Sequence, residues 1–176
     1  MDMKANLKSA SDKIAGAFST DKAPDETDVL DTLKKEHDEV QELLASLVDS
    51  DKAAERKSLL KQIKAALVPH TKAEEKVVYD AVIAAKSQKD KNKIDGAEGY
   101  LEHALASQTL LKLDKITPVT SPQFTATAKV LKELIDHHVQ EEERNIWSDV
   151  KENFDFDARI AMNLRFLAAK KKVKIP

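Results

Sequence analysis

Hydrophobic residues recur every three to four positions along most of the chain, a spacing that predicts amphipathic helices. The clearest series follows the polar residues Thr27 and Asp28, which are suited to cap a helix. It runs through Leu30, Leu33, His37, Val40, Leu44 and Leu47. Such steps place these side chains on one helix face, and no stretch of the chain shows the alternation of a strand. We therefore predict an all-α fold.

Breaks in the pattern divide the chain into four long helices and a shorter fifth helix. The predicted helices cover about residues 27 to 48, 53 to 86, 95 to 116, 123 to 153 and 157 to 171. Pro69 predicts a kink in the second helix just before His70. We expect Leu111 to face inward on the third helix, and Ile160, Leu164 and Leu167 to lie on one side of the fifth.

The helices predict an up-down four-helix bundle over residues 27–153, because 176 residues suffice for a single core. We expect residues 154–176, with the fifth helix and a basic tail, to pack on this bundle. Residues 1–26 predict a weakly helical or mobile N-terminal arm, because Ser, Lys and Asp dilute its apolar positions.

Composition limits the partners and the chemistry. The 29 basic and 31 acidic residues give a formal net charge of −2, so neither nucleic acid nor a membrane surface is an expected partner. The chain has no export signal and no apolar run long enough to span a bilayer, which predicts a cytoplasmic protein. It also has no cysteine. Any metal site must therefore use histidine and carboxylate ligands.

Two segments share a His-x-x-x-Glu motif. His70 and Glu74 form the first copy, and His138 and Glu142 form the second, so both members of the motif recur at one constant offset. His37 and His103 lie on the apolar faces of the first and third predicted helices and are separated by nearly the same offset. The chain is therefore predicted to consist of two similar helical hairpins. His137 with Glu141 offers a competing register, but the repeat favours His138 because Glu142-Glu143-Arg144 then aligns with Glu74-Glu75-Lys76.

The spacing of the motif suits metal binding, because residues four apart lie side by side on a helix. A buried glutamate is costly unless it is paired or binds a metal. The predicted ligands are His37, His70, Glu74, His103, His138 and Glu142. A set of four imidazoles and two carboxylates suits iron, manganese or zinc, and six ligands fit two ions better than one.

Three further residues have two open interpretations each. Tyr79 is either close to the metals or part of the core. Glu75 and Glu102 are either hydrogen-bond partners of the ligating histidines or solvated surface charges.

The order His, His-x-x-x-Glu, His, His-x-x-x-Glu over about residues 28–153 resembles the hemerythrin-like, or HHE cation-binding, family. The resemblance implies a non-haem di-iron centre in which the four histidines are terminal ligands and the two glutamates bridge the ions. Zinc or manganese could replace iron in protein as isolated. Ser107 departs from the oxygen-carrier branch, which has a second histidine at that position, and this favours reaction with or sensing of peroxide, oxygen or nitric oxide over oxygen carriage.

Alternative functions remain open on the sequence. An enzyme that decomposes peroxide needs no external reductant and is the catalytic function we expect; a non-catalytic module that binds metal or gas would instead signal to an unidentified protein partner. The His37-Asp38 pair resembles a metal-dependent phosphohydrolase motif, but that function would leave both His-x-x-x-Glu motifs unused. Ferritin-like proteins use Glu-x-x-His, which is absent here. The sequence leaves the oligomeric state open.

Overall fold

The structure is a computed structural model that describes residues 23–85 and 90–175. After a short 3-10 helix, Pro24–Glu26, the α-helices are α1 (Val29–Asp49), α2 (Ala53–Glu74), α3 (Asp80–Ile83), α4 (Asp90–Lys115), α5 (Pro122–Arg144), α6 (Ile146–Asn153) and α7 (Phe156–Lys170). No strand occurs in these two ranges. Most of the predicted N-terminal arm, residues 1–22, lies outside them.

The long helices form the predicted four-helix bundle. α1 packs against α2 on one side and α5 on the other, while α4 packs against α5 and against the stretch from α2 to α3. α7 lies across α1 and α2 and also contacts the 3-10 helix. The prediction of an all-α bundle with an additional C-terminal helix is confirmed.

Polar side chains cap the N-termini of three of the helices. The Asp28 carboxylate accepts a hydrogen bond from the Leu30 amide at 3.0 Å, and the Asp155 carboxylate accepts one from the Ala158 amide at 2.8 Å. The Ser121 hydroxyl accepts a hydrogen bond from the Phe124 amide at 3.2 Å, with Pro122 at the first position of α5. Each cap satisfies an amide that has no partner within its own helix.

The second predicted helix is not regular along its whole length. α2 continues through Pro69, but at Glu75–Tyr79 the chain widens into a π-helical turn before α3 resumes the α-helical geometry. Such turns are rare and frequently lie at functional sites. Here the turn carries Glu75 and Tyr79, and both side chains point to the layer described below.

Several predicted details are wrong. α4 begins at Asp90, five residues earlier than expected, and the fourth predicted helix is interrupted between α5 and α6. Leu111 is exposed rather than inward-facing, and Leu164, on the predicted apolar side of the last helix, is exposed as well. On α7 the buried apolar residues are Met162 and Phe166, because the helix turns that side toward α1 and α2.

The interior consists of two apolar clusters. The first fills the end of the bundle at the loop between α4 and α5, with Leu44, Ile63 and Leu131 among its residues. The second fills the opposite end, where α6 and α7 close the bundle, and includes Tyr79 and Phe166. A polar layer separates the two clusters.

Two glycines let α4 approach the second helical stretch closely. A Cβ atom on Gly99 would lie 2.8 Å from the Tyr79 ring, and one on Gly96 would lie 2.6 Å from the Ile83 side chain. These distances are too short for any larger residue without movement of a neighbour. None of the helices in the described part of the chain has the length and apolar content needed to span a membrane.

Candidate metal centre

Six side chains from four helices meet in the polar layer. They are His37 on α1, His70 and Glu74 on α2, His103 on α4, and His138 and Glu142 on α5. All six are buried, with at most 5% of the surface of each exposed. The structure thus brings together the residues that the sequence predicts as metal ligands.

The Nε2 atoms of the histidines point at the two glutamates. Within each motif, His70 Nε2 lies 3.2 Å from Glu74 Oε2, and His138 Nε2 lies 3.1 Å from Glu142 Oε2. Across helices, Glu74 Oε2 lies 3.5 Å from His103 Nε2, and Glu142 Oε2 lies 3.6 Å from His37 Nε2. Each glutamate therefore contacts a histidine of its own helix and also one from a neighbouring helix.

The donor atoms form two groups that share a residue. His37, His70 and Glu74 can place one donor atom each within 4.8 Å of one another, and Glu74, His103 and His138 can do the same. Glu142 connects the groups as well, because the same oxygen contacts His37 of one group and His138 of the other. Two three-donor groups joined by carboxylates could hold two cations side by side.

Several buried polar atoms in the layer have no hydrogen-bond partner among the described residues. On the inner side these are both carboxylate oxygens of Glu74, Oε1 of Glu142 and Nε2 of His37, and on the outer side Nδ1 of His103 has none either. Leaving one such group unpaired costs about 1–3 kcal/mol, and more for a charged group. A metal cation would satisfy the four inner atoms, and nitrogen and oxygen donors are ligands that iron, manganese and zinc accept. The side chains therefore fit a metal centre.

A carboxylate lies beside the outer nitrogen of each histidine. His70 Nδ1 lies 2.9 Å from Glu36, and His138 Nδ1 lies 2.7 Å from Glu102. Glu36 and Glu102 are equivalent in the repeat, since each directly precedes one of the equivalent histidines His37 and His103. Such contacts fix the tautomer and the ring orientation of ligating histidines.

The other two histidines also have a carboxylate near Nδ1, although Nδ1 of His103 forms no hydrogen bond with it. His37 Nδ1 lies 3.2 Å from Glu143, and His103 Nδ1 lies 3.3 Å from Glu75. The sequence left the roles of Glu75 and Glu102 open, and both lie beside histidines. The equivalent Glu36 and Glu143 were missed, although the alignment of the two hairpins points to them.

A basic group meets each of these outer carboxylates on its other side. Lys170 on α7 lies 2.5 Å from Glu36, and Lys72 lies 2.8 Å from Glu75. Lys34 lies 3.7 Å from Glu143, and His137 lies 3.5 Å from Glu102. The His137 side chain is 62% exposed, so it borders the layer from outside and does not join the six inner residues.

Two aromatic rings stack on histidines at equivalent positions. The Tyr79 ring lies 5.2 Å from His103, and the Trp147 ring lies 6.0 Å from His37. The Tyr79 hydroxyl is 3.4 Å from both His103 Nε2 and Glu142 Oε2. Tyr79 is therefore both a core residue and a neighbour of the candidate ligands.

The charges of the layer shift the ionisation of its members. Burial opposes protonation of His70, but Glu74 and Glu36 outweigh it and raise the pKa of His70 to about 10. Burial is likewise outweighed at His138, where Glu102 and Glu142 raise the pKa to about 10. Without a cation, these imidazoles hold protons that compensate the buried carboxylates.

The pKa values of three other residues in the layer shift in different directions. Burial lowers the pKa of His103 to about 4, despite Glu75. Burial and the neighbouring Glu142 raise the pKa of Glu74 to about 8. Burial also opposes ionisation of Glu142, but His138 and His37 outweigh it and hold its pKa well below the usual range. Metal binding would replace the protons on His70, His138 and Glu74, since ligands bind metal in their deprotonated forms.

Two small crevices adjoin the layer. One lies among Tyr79, Gly99, Glu102 and His138, and the other among Glu36, His37, His70 and Ile135; each has a volume of about 10 Å³. That volume is roughly what a single water molecule requires.

Comparison with known proteins relates most of the chain to a cation-binding domain. Residues 28–148 match the hemerythrin HHE cation-binding domain. A curated relative, a DNA nickase from Nostoc sp. (strain PCC 7120), is 24% identical over 146 residues. The aligned segment covers 83% of this chain and 40% of the relative, so the chain spans less than half the length of that protein. No solved structure matches the chain significantly. Since the matched domain covers well over half of the chain, this protein belongs to the hemerythrin HHE cation-binding family.

Proposed function

We propose that the polar layer holds two iron ions and that the protein reacts with a small oxidant, with decomposition of hydrogen peroxide as its activity. The observation that carries this proposal is the division of the donors into two groups that share Glu74 and are joined again by Glu142. Shared carboxylates suit a pair of ions, because they hold the ions together when their charge changes.

The chain itself supplies the ligands and keeps them in place. The inner carboxylates of Glu74 and Glu142 would balance the cation charge. Outer carboxylates hydrogen-bonded to Nδ1 of His70, His138 and His37 hold these imidazoles in the orientation that directs Nε2 inward. A di-iron pair would supply two electrons to one peroxide and recover two from another, giving water and oxygen without an outside reductant. In the oxygen-carrier branch of the family that this sequence resembles, a second histidine stands at the position of Ser107, so we expect one more open ligand position here for the oxidant.

The surroundings of the layer favour a very small substrate. The adjoining crevices of about 10 Å³ leave no room for an organic molecule. Burial raises the pKa of Tyr79 well above its usual value, so its hydroxyl keeps its proton and can donate a hydrogen bond beside Glu142. A hydrogen-bond donor at this position would orient a bound peroxide.

The test begins with metal-free protein, to which iron(II) is added without oxygen. We expect two iron ions per chain by elemental analysis, near-ultraviolet bands of an oxo-bridged pair after oxidation, and oxygen evolution when peroxide is added. Neighbouring histidines give matched variants. His138→Ala should lose iron while keeping its helix content, and His137→Ala should keep both iron and activity.

Each result bears on a different part of the proposal. Binding of a single ion, or of another metal without the absorption bands, would contradict the di-iron centre. Intact bands without oxygen evolution would contradict the enzymatic activity. That second result would favour a non-catalytic sensor of oxygen or nitric oxide that signals to a protein partner, a function for which α7 is suited because Lys170 contacts Glu36 beside His70.

The similarity to a DNA nickase suggests strand cleavage as a second candidate function. That similarity extends over 83% of the chain. The inner residues are at most 5% exposed, however, so duplex DNA could not reach them without opening of the bundle. Nicking of supercoiled plasmid by iron-loaded protein, and loss of nicking in His138→Ala, would support this function over peroxide decomposition. The cytoplasmic location stays a prediction, which cell fractionation would test.

A further inference from the structure

The outer face of α4 exposes large apolar side chains. Ile94 is 63% exposed, Leu101 67%, Leu105 51% and Leu111 49%. In the described part of the chain, these are four of the eight large hydrophobic residues that are exposed. Apolar patches of this kind on soluble proteins commonly mark interaction sites.

The exposed residues follow the spacing of a helix seam. The outer seam consists of Ile94, Ala97, Leu101, Ala104, Gln108 and Leu111, all exposed and at steps of three and four residues. A second series on the same helix, which includes His103, Ala106 and Leu110, is buried in the bundle. A continuous apolar seam on the outer face of a helix is suited to bind a partner.

We propose that the outer seam binds a second copy of this chain, with the two α4 helices antiparallel. Large and small residues alternate in the first four positions of the seam. In an antiparallel pair centred between Leu101 and Ala104, Leu101 packs against the partner's Ala104, and Ile94 packs against the partner's Leu111. Alternation of this kind gives the knobs and holes of paired helices, and a twofold axis makes each contact occur twice.

Charges on one flank of the seam match the same alignment, whereas on the other flank Lys91 lies near the partner's Lys112. Lys93 and Asp114 are exposed on one flank, near opposite ends of the seam. The antiparallel pairing puts Lys93 beside the partner's Asp114 at both ends of the seam. This follows because residues on one flank of an antiparallel helix face residues on the equivalent flank of its partner. Asp114 also forms an ion pair with Lys64 of its own chain at 2.9 Å. A carboxylate can accept from both ammonium groups, so the inner pair need not break.

The oligomeric state of the full chain tests the proposal. Sedimentation equilibrium should show a species of twice the 19.6 kDa chain mass, and Leu101→Glu should raise the dissociation constant at least about tenfold. Leu164→Glu is the matched control, because Leu164 is exposed on α7 and lies outside the seam. This variant should remain dimeric. Circular dichroism checks that both variants are folded.

Charge reversal tests the alignment. Lys93→Glu alone and Asp114→Lys alone should each weaken the dimer, and the double variant should restore it, because the pair then forms with reversed signs. A double variant no tighter than the singles would overturn the antiparallel alignment. A 19.6 kDa species at all concentrations up to about 1 mM would overturn self-association altogether. An unchanged dimer in Leu101→Glu would overturn the assignment of the interface to the outer seam.

Discussion

Gly99 is the position where a single added carbon should disturb the candidate metal centre. Its Cβ would lie 2.8 Å from two atoms of the Tyr79 ring and 3.0 Å from the hydroxyl oxygen. Ordinary contact begins at 3.4 Å, so the ring must move by about 0.6 Å. Tyr79 is completely buried, and its ring stacks on His103. The displacement would therefore be transmitted to the ligand layer.

The expected stability change combines two opposing effects. Overpacking of a core costs about 1–3 kcal/mol, whereas replacing glycine by alanine inside a helix gains about 1 kcal/mol. We therefore expect Gly99→Ala to lower the free energy of unfolding by about 0–2 kcal/mol, or the Tm by up to about 8 °C. Iron content should fall or the absorption bands should shift, because the Tyr79 hydroxyl leaves its position near Glu142.

Gly96→Ala provides the matched control. It has the same gain in helix propensity, but its Cβ meets the side chain of Ile83, which is partly exposed and can rotate away. We expect unchanged iron content and a smaller loss of stability. The assays are thermal unfolding, elemental analysis and the absorption spectrum. The reasoning is refuted if Gly99→Ala is more stable than the parent protein and has an identical spectrum.

Three further predictions concern the carboxylates, the pH and the apolar core. Glu36→Gln should weaken metal binding about 10- to 100-fold, because His70 loses its charged partner. The control Glu42→Gln, at an exposed position, should leave metal affinity unchanged. Competition with a chelator measures both affinities, and equal values would contradict the role of Glu36. Metal-free protein should lose stability as the pH rises from about 6.5 to 10. The pKa of His70 and His138 is about 10 in the folded chain, against the ordinary histidine value of 6.5 in the unfolded chain. Their contribution to the free energy of unfolding is therefore complete below about pH 6.5 and is lost as the pH rises through about 10. A Tm of metal-free protein that does not fall between about pH 7 and 9 would count against this ionisation. Arg56→Met should destabilise the fold by about 1–3 kcal/mol without changing metal content, because the buried guanidinium donates to two backbone carbonyls; chemical denaturation measures the loss.

The candidate ligands could be predicted because each lies on a buried seam whose spacing is visible in the sequence. The outer carboxylates Glu36 and Glu143 were harder to predict, since each sits next to a seam position and reaches a histidine on a neighbouring helix. The spacing within one helix does not reveal which side chains of the next helix lie opposite. Only the internal repeat, which relates Glu36 to Glu102 and Glu143 to Glu75, carries that information.

The wrong details have physical causes. α4 is apolar on two faces, so its spacing alone could not show that Leu111 lies on the exposed one. On α7, the buried side depends on how the helix lies across α1 and α2, and Met162 and Phe166 fit that surface where Leu164 does not. The π-helical turn at Glu75–Tyr79 holds five residues and has no marker in the sequence.

One hairpin has a tyrosine where the other has a tryptophan, and this difference makes the two halves of the candidate metal centre unequal. Tyr79 and Trp147 occupy equivalent positions and stack on equivalent histidines. The Tyr79 hydroxyl faces Glu142, whereas the Trp147 indole nitrogen has no hydrogen-bond partner among the described residues. Two ions held by matching ligands would therefore differ in their surroundings. The Tyr79 hydroxyl would lie beside an ion near His103, whereas Trp147 offers no hydroxyl to an ion near His37, so the two positions would differ in reactivity.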